Sequence, residues 1–500
     1  MRPRAAGLLA MTVAALLALP PSAPAKDDLR FAPGPPRDPA FLELVNGAID
    51  RGVAWMRSRQ GTDGTFGDGP SRTSAYPFGY TALGVHVLRS CGAPADDPAV
   101  VKGIEALRRL YRSGSAFQHA ETYQLALGLL ALEAHFAAPP DEKEAGGSRY
   151  GKPAKPAARR IPAADLEWMR SMAHRICSAQ DPCGAFGYQG TDGYGGTGRR
   201  GRGGWDHSNT QYALLGLKAA RRCGVDIDTK VFLRCLEHLL DDQEPSGPAV
   251  ERRETDDAGG DRYGPRSRAA GTDHARGWGY RGRSTATGSM TSGGVSSVVI
   301  CRGELQGRTG YGGALDGRAV KSIRDGIAWI GRNFSVTGNP SAAGRGGSGW
   351  HYYWLYGLER AGVLAGVTWT GPHDWYLEGA RYLLGAQESG GGWEGGGGFS
   401  AAAPGAGPGR GNLLDTAFAL LFLKKATFRV EGAVATEESD SSLDLSGAAD
   451  LDDASFRAVF DTVRSRFARA AEKDRAARAA DFVRLGVRAL GLLVLDLEAE

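Results

Sequence analysis

One structural unit recurs six times between residues 44 and 425, and this repeat limits the possible folds more than any other feature of the sequence. Each unit has the pattern of an amphipathic helix, a loop that pairs glycine with an aromatic residue, and a second helix that is apolar on most faces. In the second unit, Val100, Ile104 and Leu107 lie on one stripe of the first helix. Its second helix, within residues 119–136, is apolar all round and needs cover on several sides. The units must therefore pack against one another.

The two ends of the repeat indicate that it closes on itself. The inner helices of the first and sixth units, residues 76–89 and 413–425, are both apolar, whereas an open solenoid usually carries polar end units. We therefore predict an all-α (α/α)6 toroid of six inner and six outer helices. We expect residues 76–88 to contact residues 413–423, with the glycine–aromatic loops gathered on one face.

The first 25 residues have the pattern of a secretory signal peptide. Arg2 and Arg4 precede an apolar run that is too short to span a bilayer, and Ala23 and Ala25 occupy the positions that a signal peptidase reads. No later stretch reaches the ~20 apolar residues of a membrane-spanning helix. We therefore expect a secreted or periplasmic protein without a transmembrane segment in its mature chain.

The remaining boundaries follow from composition. Residues 26–43 form an N-terminal extension and residues 44–430 form the toroid. Residues 431–453 carry eight acids and no bases, which is typical of a solvated linker. A C-terminal helical segment, residues 454–500, is expected to pack on protein, and a partner protein is one possible cover for it.

Charge and cysteine content exclude several other classes. The formal net charge of +4 is small and its signs are interspersed, so nucleic acid is not predicted as a partner. The six cysteines contain no Cys-x-x-Cys pair, which excludes a structural zinc ribbon. Cys177 and Cys183 are close enough in sequence to form a disulfide across a helix end.

Three loops of the repeat resemble a known family signature. The segments from Gln60 to Phe66, Gln180 to Phe186 and Gln387 to Trp393 are similar to the glutamine–tryptophan repeats of terpenoid cyclases and protein prenyltransferases, also called prenyltransferase/squalene oxidase repeats. Those families share an α/α toroid, so the resemblance implies the same fold here. A glutamine amide can bond backbone groups at the helix end, and glycine lets the chain turn. The aromatic residue would fill the space between hairpins.

The resemblance also indicates where an activity would lie. Asn412 to Ala417 resembles the Asp-x-Asp-Asp-Thr-Ala segment of squalene-hopene cyclases, but the proton-donating middle Asp is Leu414 here and only Asp415 remains. Asp256 and Asp257 lie in a second acidic segment, within a Gly/Arg-rich excursion. These three aspartates are the candidate catalytic acids of a divergent cyclase that uses displaced carboxylates.

The zinc-binding motif of prenyltransferases is altered in this sequence. The Asp-x-Cys of that family corresponds to Asp206-His207-Ser208, which has serine in place of cysteine. Asp206, His207 and His351 are chemically competent zinc ligands, but nothing local brings them together. We therefore predict no metal and no cofactor.

Polar residues at the starts of the inner helices are the candidate ligand-binding residues, because helix N-termini there face one mouth of the cavity and favour anions. They are Glu121, Asp206, His207, His351, Tyr352 and Tyr353. The leading hypothesis is an exported toroid that binds an apolar small molecule or a peptide in its central cavity. The alternative from another class is a secreted (α/α)6 carbohydrate-active enzyme, which would need a carboxylate pair or a Tyr/His pair in the cleft.

Overall fold

The computed structural model describes residues 39–67, 76–114, 117, 120–137, 160–188, 204–261, 264–308, 310–343, 349–395, 412–427, 456, 457, 460 and 463; for residues 253–270 the description covers the backbone alone. Twelve long α-helices occupy this part of the chain, and they alternate between an outer and an inner ring. The outer helices are α1 (Pro39–Arg57), α3 (Pro98–Ser113), α5 (Ala163–Ser178), α7 (Thr229–Asp242), α9 (Gly313–Arg332) and α11 (Trp375–Ala386). The inner helices are α2 (Pro77–Ser90), α4 (Glu121–Phe136), α6 (His207–Arg222), α8 (Gly288–Leu305), α10 (His351–Ala365) and α12 (Leu413–Lys424).

The inner helices form a closed ring. Each packs against the next in chain order, and α12 packs against both α1 and α2. At this seam the backbone of Gly52 on α1 lies directly against Leu420 and Trp393. Gln387 Nε2 also donates to the carbonyl of Ala48, 2.8 Å away, and so bonds the sixth unit to the first. The predicted (α/α)6 toroid and the expected contact across its seam are confirmed.

Burial distinguishes the two rings as the apolar pattern predicts. Fourteen residues of inner helix α6 are buried, against six in outer helix α5, and both helices have 16 residues. An inner helix is covered by neighbours on both sides and by its own outer helix. An outer helix needs only one apolar stripe, because its opposite face meets water.

The glutamines of the repeat tie each loop to the following outer helix. Gln180 Nε2 donates to the carbonyls of Gly184 (2.8 Å) and Val231 (2.9 Å). Gln60 and Gln387 make the equivalent pairs of bonds. Gln243 does the same with the carbonyls of Arg276, which follows the chain excursion, and Ser322 on α9. Each amide therefore joins a carbonyl of its own loop to a carbonyl of the next outer helix.

The aromatic residue is fixed by a threonine of the next inner helix in four of the six loops. Phe66, Phe186, Trp278 and Trp393 are completely buried between hairpins. The backbone N–H of each donates to a threonine hydroxyl in the first turns of the next inner helix, and the acceptors are Thr81, Thr210, Thr291 and Thr416. These bonds set the position of each loop at the N-terminal end of an inner helix.

Two antiparallel hairpins interrupt the helical repeat, and the larger one replaces what the sequence indicated as an irregular excursion. Strands β1 (Ala249–Asp261) and β2 (Gly264–His274) pair along their length. Asp325 of α9 holds the base of this hairpin, since its carboxylate accepts from His274 N–H and Arg276 Nε at 2.8 Å each. The strands are rich in Gly and Arg, so they lack the alternation of apolar and polar residues that identifies strands. The smaller hairpin joins β3 (Trp369–Thr370) and β4 (His373–Asp374).

The predicted segment boundaries, disulfide and membrane spans can also be compared with the structure. Helix α1 begins at Pro39, within the segment assigned to the N-terminal extension. The signal segment 1–25 and the acidic linker 431–453 lie outside the described residues. In the C-terminal segment, Phe456, Phe460 and Val463 are buried. All six cysteines are thiols, so the disulfide considered for Cys177 and Cys183 does not form in the structure. In the described part of the chain, no helix combines the length and apolarity needed to cross a membrane.

Candidate ligand-binding site

Side chains of three inner helices meet at the centre of the ring near the helix N-termini. The hydroxyls of Tyr123 on α4 and Ser208 on α6 are hydrogen-bonded, and Ser208 Oγ lies 2.8 Å from the Tyr353 hydroxyl of α10. Because α4 and α10 are three positions apart in a ring of six, these bonds connect opposite walls. We call these three residues the floor of the site.

A buried cation lies beneath the floor. Gln211 Nε2 donates to the Tyr353 hydroxyl, and Gln211 Oε1 accepts from Arg360 Nη2 at 3.0 Å. Arg360 follows Tyr353 by seven residues on α10, about 10 Å deeper along the helix. Its guanidinium is completely buried and lies 4.1 Å from the centre of the Tyr356 ring. Its Nε and Nη1 have no hydrogen-bond partner among the described residues.

The phenols of the floor stay protonated. Burial raises the pKa of both Tyr123 and Tyr353 well above the ordinary value for tyrosine, because the protein interior disfavours the phenolate. Both groups therefore remain neutral and can act as hydrogen-bond donors at physiological pH. The Arg360 guanidinium beneath them keeps its charge, since arginine is not deprotonated in proteins. The interior of the ring is thus neutral at the floor and cationic below it.

An aromatic rim surrounds this floor. Tyr188, Tyr280 and Trp350 are 37%, 39% and 45% exposed, and they are three of the five large hydrophobic side chains that are exposed in the described chain. The other two, Leu44 and Val101, lie on outer helices α1 and α3.

The rim residues adjoin the N-termini of α4, α6 and α10. The carbonyl of Tyr188 accepts from Thr122 N–H, and that of Tyr280 accepts from His207 N–H. Trp350 is the N-cap of α10 and has left-handed backbone (φ 63°), which is uncommon for a residue with a bulky side chain. Its ring centre is 6.1 Å from that of Tyr353, in an edge-on contact. Rim and floor therefore form one continuous surface, here called the mouth.

The candidate carboxylates near the mouth are engaged by other groups. Asp206 is buried and caps α6 by accepting from Asn209 N–H at 2.7 Å, and it also accepts from the Tyr280 hydroxyl at 3.0 Å. Burial raises the pKa of its carboxyl. Glu121 forms an ion pair with Arg175 of outer helix α5, with Nε 2.8 Å from Oε1.

The predicted catalytic acids lie in two different places. Asp415 is in the first turn of α12, where it accepts from Gly395 N–H at 2.8 Å and from Asn412 Nδ2 at 2.6 Å. It belongs to a reciprocal cap, because Asn412 in turn accepts from the Asp415 N–H. Asp256 and Asp257 lie on strand β1 of the hairpin, where Asp256 is paired with Arg266. Asp256 and Asp257 thus belong to the hairpin, whereas Asp415 belongs to an inner helix.

The remaining sequence candidates are His351, Tyr352 and Tyr353, and one of them belongs to the floor. The ring of His351 bonds the carbonyl of Val336 through Nε2 at 2.8 Å, and burial lowers its pKa. Tyr352 is buried beside Tyr382, and burial raises the pKa of its phenol. Only Tyr353 of this trio reaches the floor. Asp206, His207 and His351 do not form a common ligand set, so that zinc alternative is wrong for the described chain.

A different group of potential metal ligands does converge beside the mouth. It consists of His207, His238 and Asp242, whose ligand atoms all lie within 4.8 Å of one another, and it is the one such group in the described part of the chain. Sequence reasoning named His207 and missed its two partners. It also missed Gln211 and Arg360, although a polar residue on an otherwise apolar inner helix is itself a signal.

Comparisons with known proteins find likenesses of structure. No protein-family model matches the sequence, and a comparison with curated protein sequences finds no match either. A solved structure of the type II terpene cyclase MstE from Scytonema, in complex with geranylgeranyl dihydroxybenzoate, is 12% identical and has a TM-score of 0.43; the match covers 77% of this chain and 98% of that one. The GH76A α-1,6-mannanase of Salegentibacter sp. HEL1_6 is 11% identical with a TM-score of 0.44, over 76% of this chain and 98% of the other.

Proposed function

We propose that this chain is an exported binding protein that takes an apolar small molecule or a peptide at the mouth of its toroid. The observation that carries the proposal is the aromatic rim of Tyr188, Tyr280 and Trp350 above a hydrogen-bonded polar floor. Aromatic faces cover apolar groups, and their hydroxyls can bond the polar end of the same ligand. Sites that bind small molecules commonly combine apolar walls with a few convergent polar groups.

The charge below the floor indicates which end of a ligand enters first. A buried guanidinium whose Nε and Nη1 are both unpaired is costly, and a carboxylate that accepts from one of these nitrogens would reduce that cost through a charge-assisted hydrogen bond. The mouth also lies at the positive ends of the inner-helix dipoles, which favour an anionic group. We therefore expect a ligand with an apolar body and a carboxylate end. To reach Arg360, that end has to displace the bonds of Gln211 and Tyr353.

Binding is preferred to catalysis because the carboxylates around the mouth are committed to caps and ion pairs. Asp206 and Asp415 cap helices, and Glu121 pairs with Arg175. A carbohydrate-active enzyme or a divergent cyclase would need one of them as a general acid. Stacking of a sugar ring on the rim is the alternative that the aromatic surface also favours.

Isothermal titration calorimetry tests the proposal with three probes: dodecanoate, dodecanol and a mixture of soluble oligosaccharides. We expect dodecanoate to bind more tightly than dodecanol, and Trp350→Ala to weaken binding at least about tenfold. The matched control is Val101→Ala, which removes an exposed hydrophobic side chain from α3, away from the mouth. If neither dodecanoate nor dodecanol binds, the proposal is wrong. Binding or cleavage of the oligosaccharides alone supports the carbohydrate alternative.

The signal at residues 1–25 is tested separately, by secretion of the full chain and mass spectrometry of the N-terminus of the secreted protein.

A further inference from the structure

We propose that His207, His238 and Asp242 form a site for a divalent cation of the zinc class, located between inner helix α6 and outer helix α7. His207 is the first residue of α6. His238 and Asp242 are four residues apart in the last turn and a half of α7, so they lie on the same face of that helix. The ligand atoms of the three side chains lie within 4.8 Å of one another. This inference is independent of the ligand proposed for the mouth.

The hydrogen-bond pattern leaves a place for a cation. His207 Nδ1 is 2.8 Å from the carbonyl of Gly279, and a carbonyl can only accept, so Nδ1 carries the proton. In the neutral ring, Nε2 then presents a lone pair. That lone pair lies 3.2 Å from Asp242 Oδ2, which is also an acceptor. Two lone pairs at this distance repel unless a proton or a metal ion lies between them.

None of the three candidate ligand atoms has another hydrogen-bond partner. His207 Nε2, His238 Nε2 and Asp242 Oδ2 are buried and unsatisfied among the described residues. His207 as a whole is only 2% exposed, and unsatisfied polar atoms at such depth are rare in folded proteins. The 3.2 Å between His207 Nε2 and Asp242 Oδ2 also suits zinc, because two ligands about 2.0–2.1 Å from a tetrahedral ion lie about 3.3 Å apart.

The surroundings of the three side chains also favour a bound cation. The Gly279 carbonyl orients the His207 ring, which is the usual outer-shell contact of a metal-binding imidazole. His238 and Asp242 lie at the C-terminal end of α7, where the helix dipole favours positive charge. The ring of Trp205 covers His238 at 4.4 Å between ring centres. The Asp242 side chain is 17% exposed, which provides a route from solvent and room for water as a fourth ligand.

A metal at this position would tie the start of α6 to the end of α7. Ser208 of the floor follows His207 directly, and Asp206, which bonds the Tyr280 hydroxyl of the rim, precedes it. Two imidazoles and a carboxylate are a ligand set that suits zinc among the divalent ions. The cation would therefore fix the position of the mouth and stabilise the fold.

Metal titration of the full chain tests the site. Protein dialysed against EDTA and then desalted is titrated with ZnCl2 by calorimetry, and with CoCl2 by visible absorption. We expect one ion per chain, a rise in Tm with zinc, and the absorption bands of four-coordinate cobalt. His238→Ala and Asp242→Asn should each weaken binding more than about 100-fold, since loss of an outer-shell partner alone costs 10–100-fold.

The control is His174→Ala, which removes an exposed histidine from α5 and should leave uptake unchanged. Circular dichroism establishes that each variant is folded, and Asp242→Asn keeps the shape of the side chain. Absence of zinc and cobalt uptake by the parent chain overturns the proposal. Uptake that persists unchanged in both ligand variants overturns it as well.

Discussion

At the scale of single residues, the glycines of the repeat loops are constrained by both conformation and space. Gly184 has φ +99°, and a Cβ there would lie 2.2 Å from the carbonyl oxygen of Arg234, which is backbone and cannot rotate away. Left-handed backbone costs an L-residue roughly 1–2 kcal/mol. We predict that Gly184→Ala lowers the free energy of unfolding by about 3 kcal/mol or more, because the clash adds to this strain.

Gly92 provides the matched control for that prediction. Its φ is +96°, yet a Cβ there meets nothing within 4 Å. Gly92→Ala should therefore cost only the conformational strain, about 1–2 kcal/mol. Urea denaturation of both variants and the parent measures the difference. Equal losses in the two variants would mean that the loop moves away from Arg234 without cost.

Glu359 makes the stability of the protein depend on pH. It is completely buried and accepts from Thr427 N–H (3.1 Å) and Oγ (2.7 Å). Burial raises its pKa from 4.5 to about 7. The unfolded chain loses this proton near pH 4.5 while the folded chain keeps it, so stability falls as pH rises through this range. The loss reaches about 3 kcal/mol above pH 7.

Glu359→Gln tests this effect because glutamine does not ionise in either state. We expect the Tm of the variant to fall less than the Tm of the parent between pH 4.5 and pH 7.5. His86 acts in the opposite sense: burial lowers its pKa to about 4, so its contribution is lost as pH falls below about 6.5. Both proteins contain His86, so the informative quantity is the difference between the two Tm profiles. Identical profiles would show that Glu359 ionises normally.

At the scale of elements, the large hairpin is attached to the ring through its base. Asp325 of α9 holds the base through His274 and Arg276. Replacing residues 253–270 by a two-residue turn keeps these bonds, and we expect Tm to stay within about 3 °C of the parent value. The same change removes Asp256 and Asp257. Binding at the mouth should be unchanged. A loss of activity or affinity would indicate that these two aspartates are functional residues.

At the scale of the whole molecule, the ring depends on close packing where its ends meet. A Cβ on Gly52 of α1 would lie 2.8 Å from side-chain atoms of Leu420 and Trp393. Trp393 is completely buried and cannot move aside. We predict that Gly52→Ala destabilises the protein by about 1–3 kcal/mol, as overpacking does in other cores.

Gly47 on the same helix gives the opposite expectation. Its Cβ would meet only the flexible end of Arg51, at 3.5 Å. Gly47→Ala should therefore stabilise the protein by about 0.5–1 kcal/mol, because alanine favours the helix more than glycine does. Chemical denaturation of the two variants compares them directly. The same sign of change in both would argue against a tightly packed seam.

The architecture could be predicted from the amino-acid sequence, because the forces that fix it act locally or repeat regularly. The helical spacing of apolar residues predicted which helices are inner and which are outer. The glutamines and glycines of the loops, such as Gln180 and Gly184, predicted backbone contacts within a few residues of the helix ends. The hairpin escaped prediction, since its strands carry no alternating pattern.

Which polar side chains meet depends on the folded ring and could not be predicted from the sequence. Tyr123, Ser208 and Tyr353 come from three inner helices, and their contact depends on how each helix is rotated about its axis in the ring. His207 gains His238 and Asp242 as neighbours because the start of α6 lies beside the end of α7. Periodicity fixes the face that a helix buries. The height and rotation that bring single atoms together are set by packing between helices that are distant in the sequence.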